Sequence, residues 1–126
     1  MKIIKKVYKI KSSVEKVWDA LTNPVTMDKW GANSAKMSDK QDFEFSLWNG
    51  DIWGKNTEVV SGKKLVQEWF AGKWSKPSIV TFTLSEKDGV TTLALVHTGV
   101  PEKEFDSINT GWDSFYLGEI KKLLEP

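Results

Sequence analysis

The sequence predicts an α+β domain in which a strongly twisted antiparallel sheet of about six to seven strands wraps a long C-terminal helix around an apolar cavity. Three observations carry this. Runs of alternating apolar and polar residues, separated by short turn signals, fill the middle of the chain; a short amphipathic helix follows the first of them; and a longer amphipathic run closes the chain. At 126 residues the chain has the length of one domain, so 1–126 is read as a single unit that can bury a core without disulfides.

The first strand is KIIKKVYKI, residues 2–10. Ile3, Lys5, Val7 and Lys9 share one face and Ile4, Lys6, Tyr8 and Ile10 the other, the pattern of a half-buried strand. Ser12-Ser13-Val14-Glu15 then reads as a capping box, with a serine oxygen accepting a free backbone N–H and Glu15 reaching back. Val14, Val17, Trp18 and Leu21 fall at helical spacing, Asn23-Pro24 stops that helix, and Thr26 to Trp30 add a short turn before Gly31. Residues 32–42 are largely polar, with Ala35 and Met37 as apolar positions, which suits an edge strand or a mobile loop able to gate the cavity.

Five further strands follow, joined by turns and one longer loop. FEFSLW (43–48) leads through Asn49-Gly50-Asp51 into IWGKNTEVV (52–60), and an Asn-Gly pair between alternating runs is a strong hairpin signal. Ser61-Gly62-Lys63 turns the chain into KLVQEWF (64–70), a loop with Gly72 and Pro77 leads to SIVTFTL (78–84), and Lys87-Asp88-Gly89 turns into VTTLALVHT (90–98). The alternation puts Phe82, Leu84, Leu93, Leu95 and His97 on one concave face. The closing segment, 101–125, opens on Pro101 with Glu102 and Glu104 and ends on Lys121 and Lys122, charges that complement a helix dipole. Phe105, Ile108, Trp112, Phe115, Tyr116, Ile120 and Leu123 run down one broad side, and Gly111 marks either a close approach to the sheet or a kink.

Composition narrows the chemistry. The absence of cysteine removes disulfides, thiolate metal sites and cysteine nucleophiles, and a lone histidine cannot build a metal site. Net charge is +1 with both signs interspersed, so no basic face awaits nucleic acid. All 18 basic residues are lysine, which leaves the chain without the planar fork that clamps phosphates and carboxylates, and no cofactor is expected. The lysine-studded start lacks the apolar stretch of a secretory signal and no segment is long enough to span a membrane, so a cytoplasmic location is the default expectation. Seven tryptophans, six phenylalanines and two tyrosines are the outstanding feature, and they suit the wall of a pocket as well as a core.

Several stretches together carry a family resemblance: VEKVWDALTNP (14–24) followed by DKW (28–30), the stretch 51–54 with Trp53, the strand ending EWF (68–70), TTLALVHTGVP (91–101), and the pair Gly111-Trp112. The chain resembles the START-like superfamily, also called SRPBCC or birch-pollen-allergen-like, and within it the activator of the ninety-kilodalton heat-shock protein ATPase family. The resemblance implies the helix-grip fold, an inward Trp69, and a cavity whose use varies among members. Eukaryotic co-chaperones of this family carry an additional N-terminal domain for which this sequence offers no counterpart, so the resemblance is to the stand-alone microbial form.

Candidate site residues follow from these readings. His97 is either a core histidine hydrogen-bonded to a neighbour or a polar anchor or acid/base for a ligand. Gln67, inward beside Trp69, is either a structural link or a ligand contact. Trp18, Trp48, Trp53 and Trp112 are core or binding wall, Phe82 and Leu95 are cavity wall, and Phe115 and Tyr116 lie with Trp112 on the helix face that looks at the sheet. No nucleophile with a base, paired carboxylates or phosphate loop has a specific spacing, and Asp51, Glu44 and Glu58 read as solvated positions. Three functions result: a module binding a small apolar or aromatic molecule, a co-chaperone-like interaction protein whose partner is a chaperone, and a cyclase- or aromatase-like enzyme using His97.

Overall fold

The computed structural model describes residues 2–125. Strand β1 (Ile4–Ile10) is followed by helices α1 (Val14–Thr22) and α2 (Pro24–Trp30), then by β2 (Glu44–Leu47), β3 (Ile52–Val60), β4 (Lys64–Ala71), β5 (Ser78–Lys87) and β6 (Val90–Thr98). A single turn of 3-10 helix at Glu102–Glu104 opens the last segment, which continues as α3 (Phe105–Gly111), a π-helical turn (Trp112–Tyr116) and α4 (Leu117–Leu124). The strands form one six-stranded antiparallel sheet in the order β1-β6-β5-β4-β3-β2, which settles the strand number at the lower of the two expected values.

Alternation along each strand sorts the side chains as the pleat requires. Ile4 and Ile10 of β1 are buried while Ile3 and Val7 are exposed; Leu65, Gln67 and Trp69 of β4 point inward, as do Val80, Phe82 and Leu84 of β5 and Leu93, Leu95 and His97 of β6. Against this inner face lie Trp112, Tyr116, Leu117 and Ile120 of the closing segment and Val17, Ala20 and Leu21 of α1.

The helices start and stop by local chemistry. Ser13 Oγ accepts the Lys16 N–H at 3.3 Å, so the serine half of the expected cap forms. Glu15 does not reach back; a different free donor of the first turn, the Val14 N–H, is taken up from across the fold by Glu86 at the end of β5, at 2.7 Å. Pro24 does end α1, and it then serves as the first residue of α2, where its missing N–H costs nothing. Gly31 closes α2 with a φ of 111°, a left-handed conformation that glycine adopts without penalty.

Three stretches depart from expectation. Trp48 leaves the strand: Leu47 pairs with Ile52, and Trp48 and Asn49 both take left-handed φ values of 51° and 56°, so the turn expected at Asn49-Gly50-Asp51 is a four-residue loop that begins at Trp48. Segment 32–42 is neither strand nor free loop, because Lys36 bridges to Ser46 and the Asn56 amide donates to the carbonyls of Ser38 (2.9 Å) and Lys40 (3.1 Å). The closing helix is interrupted just past Gly111, as a kink there anticipated, yet the tight glycine is Gly118. A Cβ on it would meet the Asp113 carbonyl oxygen at 2.0 Å, so the wide turn at 112–116 tolerates no side chain at that position.

Candidate functional site

Beneath the closing helix the interior is filled. The Trp69 and Trp112 rings stack at 4.8 Å, Tyr116 leans on Trp112 at 4.6 Å and on Trp30 at 4.7 Å, and Phe82 meets Trp112 edge-on. The open space lies to one side of this layer. It is a cleft of about 340 Å³ between the β2–β3 loop and the α3–π-turn segment, lined by Trp48, Asp51, Ile52, Trp69, Ser107, Ile108, Gly111, Trp112, Phe115 and Tyr116. The left-handed backbone at Trp48 is what turns its ring toward Trp30 and Tyr116, at centroid distances of 6.2 and 6.0 Å. Holding an aromatic residue in that conformation costs on the order of 1 kcal/mol, offset here by the Trp48 indole donating to the Gly31 carbonyl at 2.8 Å.

Two buried hydrogen-bond chains meet at Trp69. The indole of Trp112 donates to His97 Nδ1 at 3.0 Å, and His97 Nε2 lies 2.8 Å from Ser78 Oγ, which in turn donates to the Trp69 carbonyl at 3.1 Å. An indole N–H can only donate, so Nδ1 must accept; the histidine is therefore neutral, protonated at Nε2, and donates to the serine. Burial alone pushes the imidazolium pKa down to about 4, consistent with that neutral ring. In the second chain Trp69 Nε1 donates to Gln67 Oε1 at 3.1 Å, and Gln67 Nε2 donates to Asn56 Oδ1 at 3.0 Å. Asn56 passes the chain on to the 38–40 loop. The hydroxyl of Tyr116 is enclosed without a partner among the described residues, and burial raises its pKa well above the usual tyrosine range.

The residues singled out from the sequence do not form one site. Trp69, Trp112, Tyr116 and Phe115 come together at the cleft, with Phe115 at its mouth, 65% exposed where an inward position was expected. The π-turn explains this, since widening the helix swings Trp112 and Tyr116 inward and leaves Phe115 outside. His97, Gln67, Phe82 and Leu95 are buried behind the aromatic layer and none of them lines the cleft. Trp18 lies elsewhere, under a polar depression formed with Glu15, Asp19, Thr22, Met37 and Asp39. Trp53 faces the opposite side of the sheet: 37% exposed, it stacks on Phe70 at 5.7 Å, while its neighbour Ile52 points inward and Gly54 lets the backbone of β4 come close, a Cβ there meeting the Glu68 carbonyl oxygen at 1.8 Å.

Residues 11–125 match the family model described as activator of Hsp90 ATPase homolog 1-like protein. The chain belongs to that family. Among curated relatives of this activator-homologue family, a Dictyostelium discoideum protein named activator of 90 kDa heat shock protein ATPase homolog is 33% identical over 82% of this chain, and the human homolog 1 is 25% identical over 88%. The chain spans only 28% and 33% of the lengths of these two proteins. A Plasmodium falciparum protein described as an HSP90 activator superposes with a TM-score of 0.88 at 26% identity, covering 98% of this chain and 96% of that one. The helix-grip arrangement of the activator-homologue family is thus present in full.

Sequence reasoning about this family member missed Asp51, Ile52, Ser107 and Ile108 as cleft residues and left Trp48 open between core and binding wall. Ile108 was legible as an apolar position of the helix, but a left-handed tryptophan in a loop leaves no mark in hydrophobic periodicity. Among the described residues no group of acidic or histidine side chains could hold a metal ion, and no helix is long and apolar enough to cross a membrane.

Proposed function

We propose that this domain binds a small apolar or aromatic molecule in the cleft beside the π-turn. The observation that carries the reading is the cleft of about 340 Å³ walled by the rings of Trp48, Trp69, Trp112, Phe115 and Tyr116. Burying about 300 Å² of such a ligand at about 25 cal/mol/Å² contributes roughly 7 kcal/mol before association costs of several kcal/mol, which corresponds to modest affinity. Titration with 2-naphthylmethanol, followed by calorimetry and by tryptophan emission, should give saturable binding. Ile108→Phe, which narrows the cleft, should weaken that binding at unchanged melting temperature; a signal linear in ligand and indifferent to Ile108→Phe would overturn the reading.

A second reading is favoured by the names of the curated relatives: docking on a ninety-kilodalton heat-shock chaperone. It predicts co-purification with such a chaperone and a change in its ATPase rate on adding the domain, and no change on addition disposes of it. The cyclase-like reading has no comparable support. It needs a ring nitrogen of His97 within reach of a substrate carbonyl, and both nitrogens are engaged by Trp112 and Ser78 in a fully buried ring.

A further inference from the structure

The polar character of the cleft is one-sided. Of the three indoles in its wall, Trp48 donates to the Gly31 carbonyl, Trp69 to Gln67 and Trp112 to His97, so each N–H is spent inside the protein and only the ring faces are left to a ligand. The Ser107 hydroxyl donates to the Glu104 carbonyl at 3.1 Å, leaving its lone pairs. The backbone N–H of Asp51 is occupied by the Trp48 carbonyl, and the Tyr116 hydroxyl is enclosed away from the open surface. The remaining polar group in the lining is the Asp51 carboxylate, exposed at the rim and without an ion pair among the described residues. No lysine lines the cleft, although the chain has 18 basic residues.

A wall that offers acceptors and negative ring faces, and no donors, complements a donor or a positive charge. We propose that the cleft selects cations: its ligand is an aromatic or alkyl molecule bearing an ammonium group, with the apolar body against Trp48, Trp69 and Trp112 and the ammonium at Asp51. This rests on the binding reading above and adds the charge of the ligand to it. Fatty acids and other carboxylates, which an apolar pocket with a lysine at its mouth would hold, are disfavoured by the same carboxylate.

The test compares three molecules with one aromatic body: 2-naphthylmethylamine, 2-naphthylmethanol and 2-naphthoate, titrated by calorimetry at pH 7 and low ionic strength. The amine should bind about tenfold tighter than the carboxylate, with the alcohol between them, and the difference should shrink as salt screens the rim. Asp51→Asn, an exposed turn position, should bring the amine to within about twofold of the alcohol. Equal binding of all three, or tightest binding of 2-naphthoate, overturns the cation preference and leaves the apolar site standing. An amine preference that survives Asp51→Asn overturns the role given to that carboxylate. Absence of saturable binding by any of the three overturns the site itself.

Discussion

His97 is the sole histidine of the chain, which makes its titration readable in the whole protein's stability. Its folded pKa of about 4 lies below the ordinary 6.5, so the unfolded chain binds the extra proton first. Stability is then fully present above pH 6.5 and falls as pH drops toward 4, by about 1.4 kcal/mol per unit and roughly 3 kcal/mol in all. Urea denaturation at pH 7.5, 6.5, 5.5 and 5.0 should show this slope in the wild type and lose it in His97→Gln, which should also be less stable at pH 7.5 because the Trp112 N–H and Ser78 lose a fitted partner. Gln67→Leu should cost about 2–3 kcal/mol by a denaturant midpoint shift, since it strands the Trp69 N–H and an Asn56 oxygen in the core. That Gln67 shares a face with Trp69, and His97 with Leu93 and Leu95, was legible from the two-residue period of a strand, while the choice of the inner face for Trp69 came from the family resemblance. Their partners were not: Ser78 and Asn56 lie on neighbouring strands, and a polar residue carries no local sign of what it will meet across a sheet.

At the scale of elements, the strands and α1 could be read from the sequence to within a few residues of their ends, the β2–β3 turn being the exception. Asp88 and Gly89, with φ values of 53° and 78°, make the two-residue turn that Asp-Gly between alternating runs announces. The closing helix was legible as an amphipathic segment, and Gly111 as the neighbourhood of its break. What periodicity cannot show is an inserted residue in the helical turn, because Trp112 and Tyr116 keep an ordinary four-residue spacing while the backbone around them widens. Gly118→Ala tests the π-turn: its Cβ clashes with the Asp113 carbonyl, so the turn must rewind or the helix must shift. The expected cost is about 2–4 kcal/mol, with loss of the near-ultraviolet circular dichroism that the packed Trp69, Trp112 and Tyr116 rings generate.

Taken as one body, the molecule is a sheet-and-helix sandwich whose interior beneath the closing helix is filled, with the aromatic cleft to one side of that layer, and substitutions should sort accordingly. Leu95→Trp, 1% exposed under the helix, overpacks a solid interior and should lower stability by about 1–3 kcal/mol or more in a thermal melt, whereas Phe115→Ala at the mouth should change it by less than about 0.5 kcal/mol. An unchanged melting temperature for Leu95→Trp would mean that a void lies behind the aromatic layer. The general design, a meander under a long helix, was readable from order and period alone; the location of the open space was not, because it depends on how bulky rings divide the interior.

The outer edge of β1 is held by the end of the chain. Lys6 and Tyr8 donate to the Asp113 carboxylate, Lys121 donates to the Lys9 carbonyl at 2.5 Å, and Glu125 accepts the Lys11 N–H at 2.6 Å. The last turn of the protein therefore acts as a guard rail along an otherwise open strand. A triple variant, Asp113→Ala with Lys121→Ala and Glu125→Ala, would keep every strand and the buried face of the closing helix but present that edge bare, a ready template for a second molecule's strand. Such a variant should elute as larger species in size-exclusion chromatography than the unaltered protein does at the same concentration, and an unchanged elution would show that these contacts do not guard the edge.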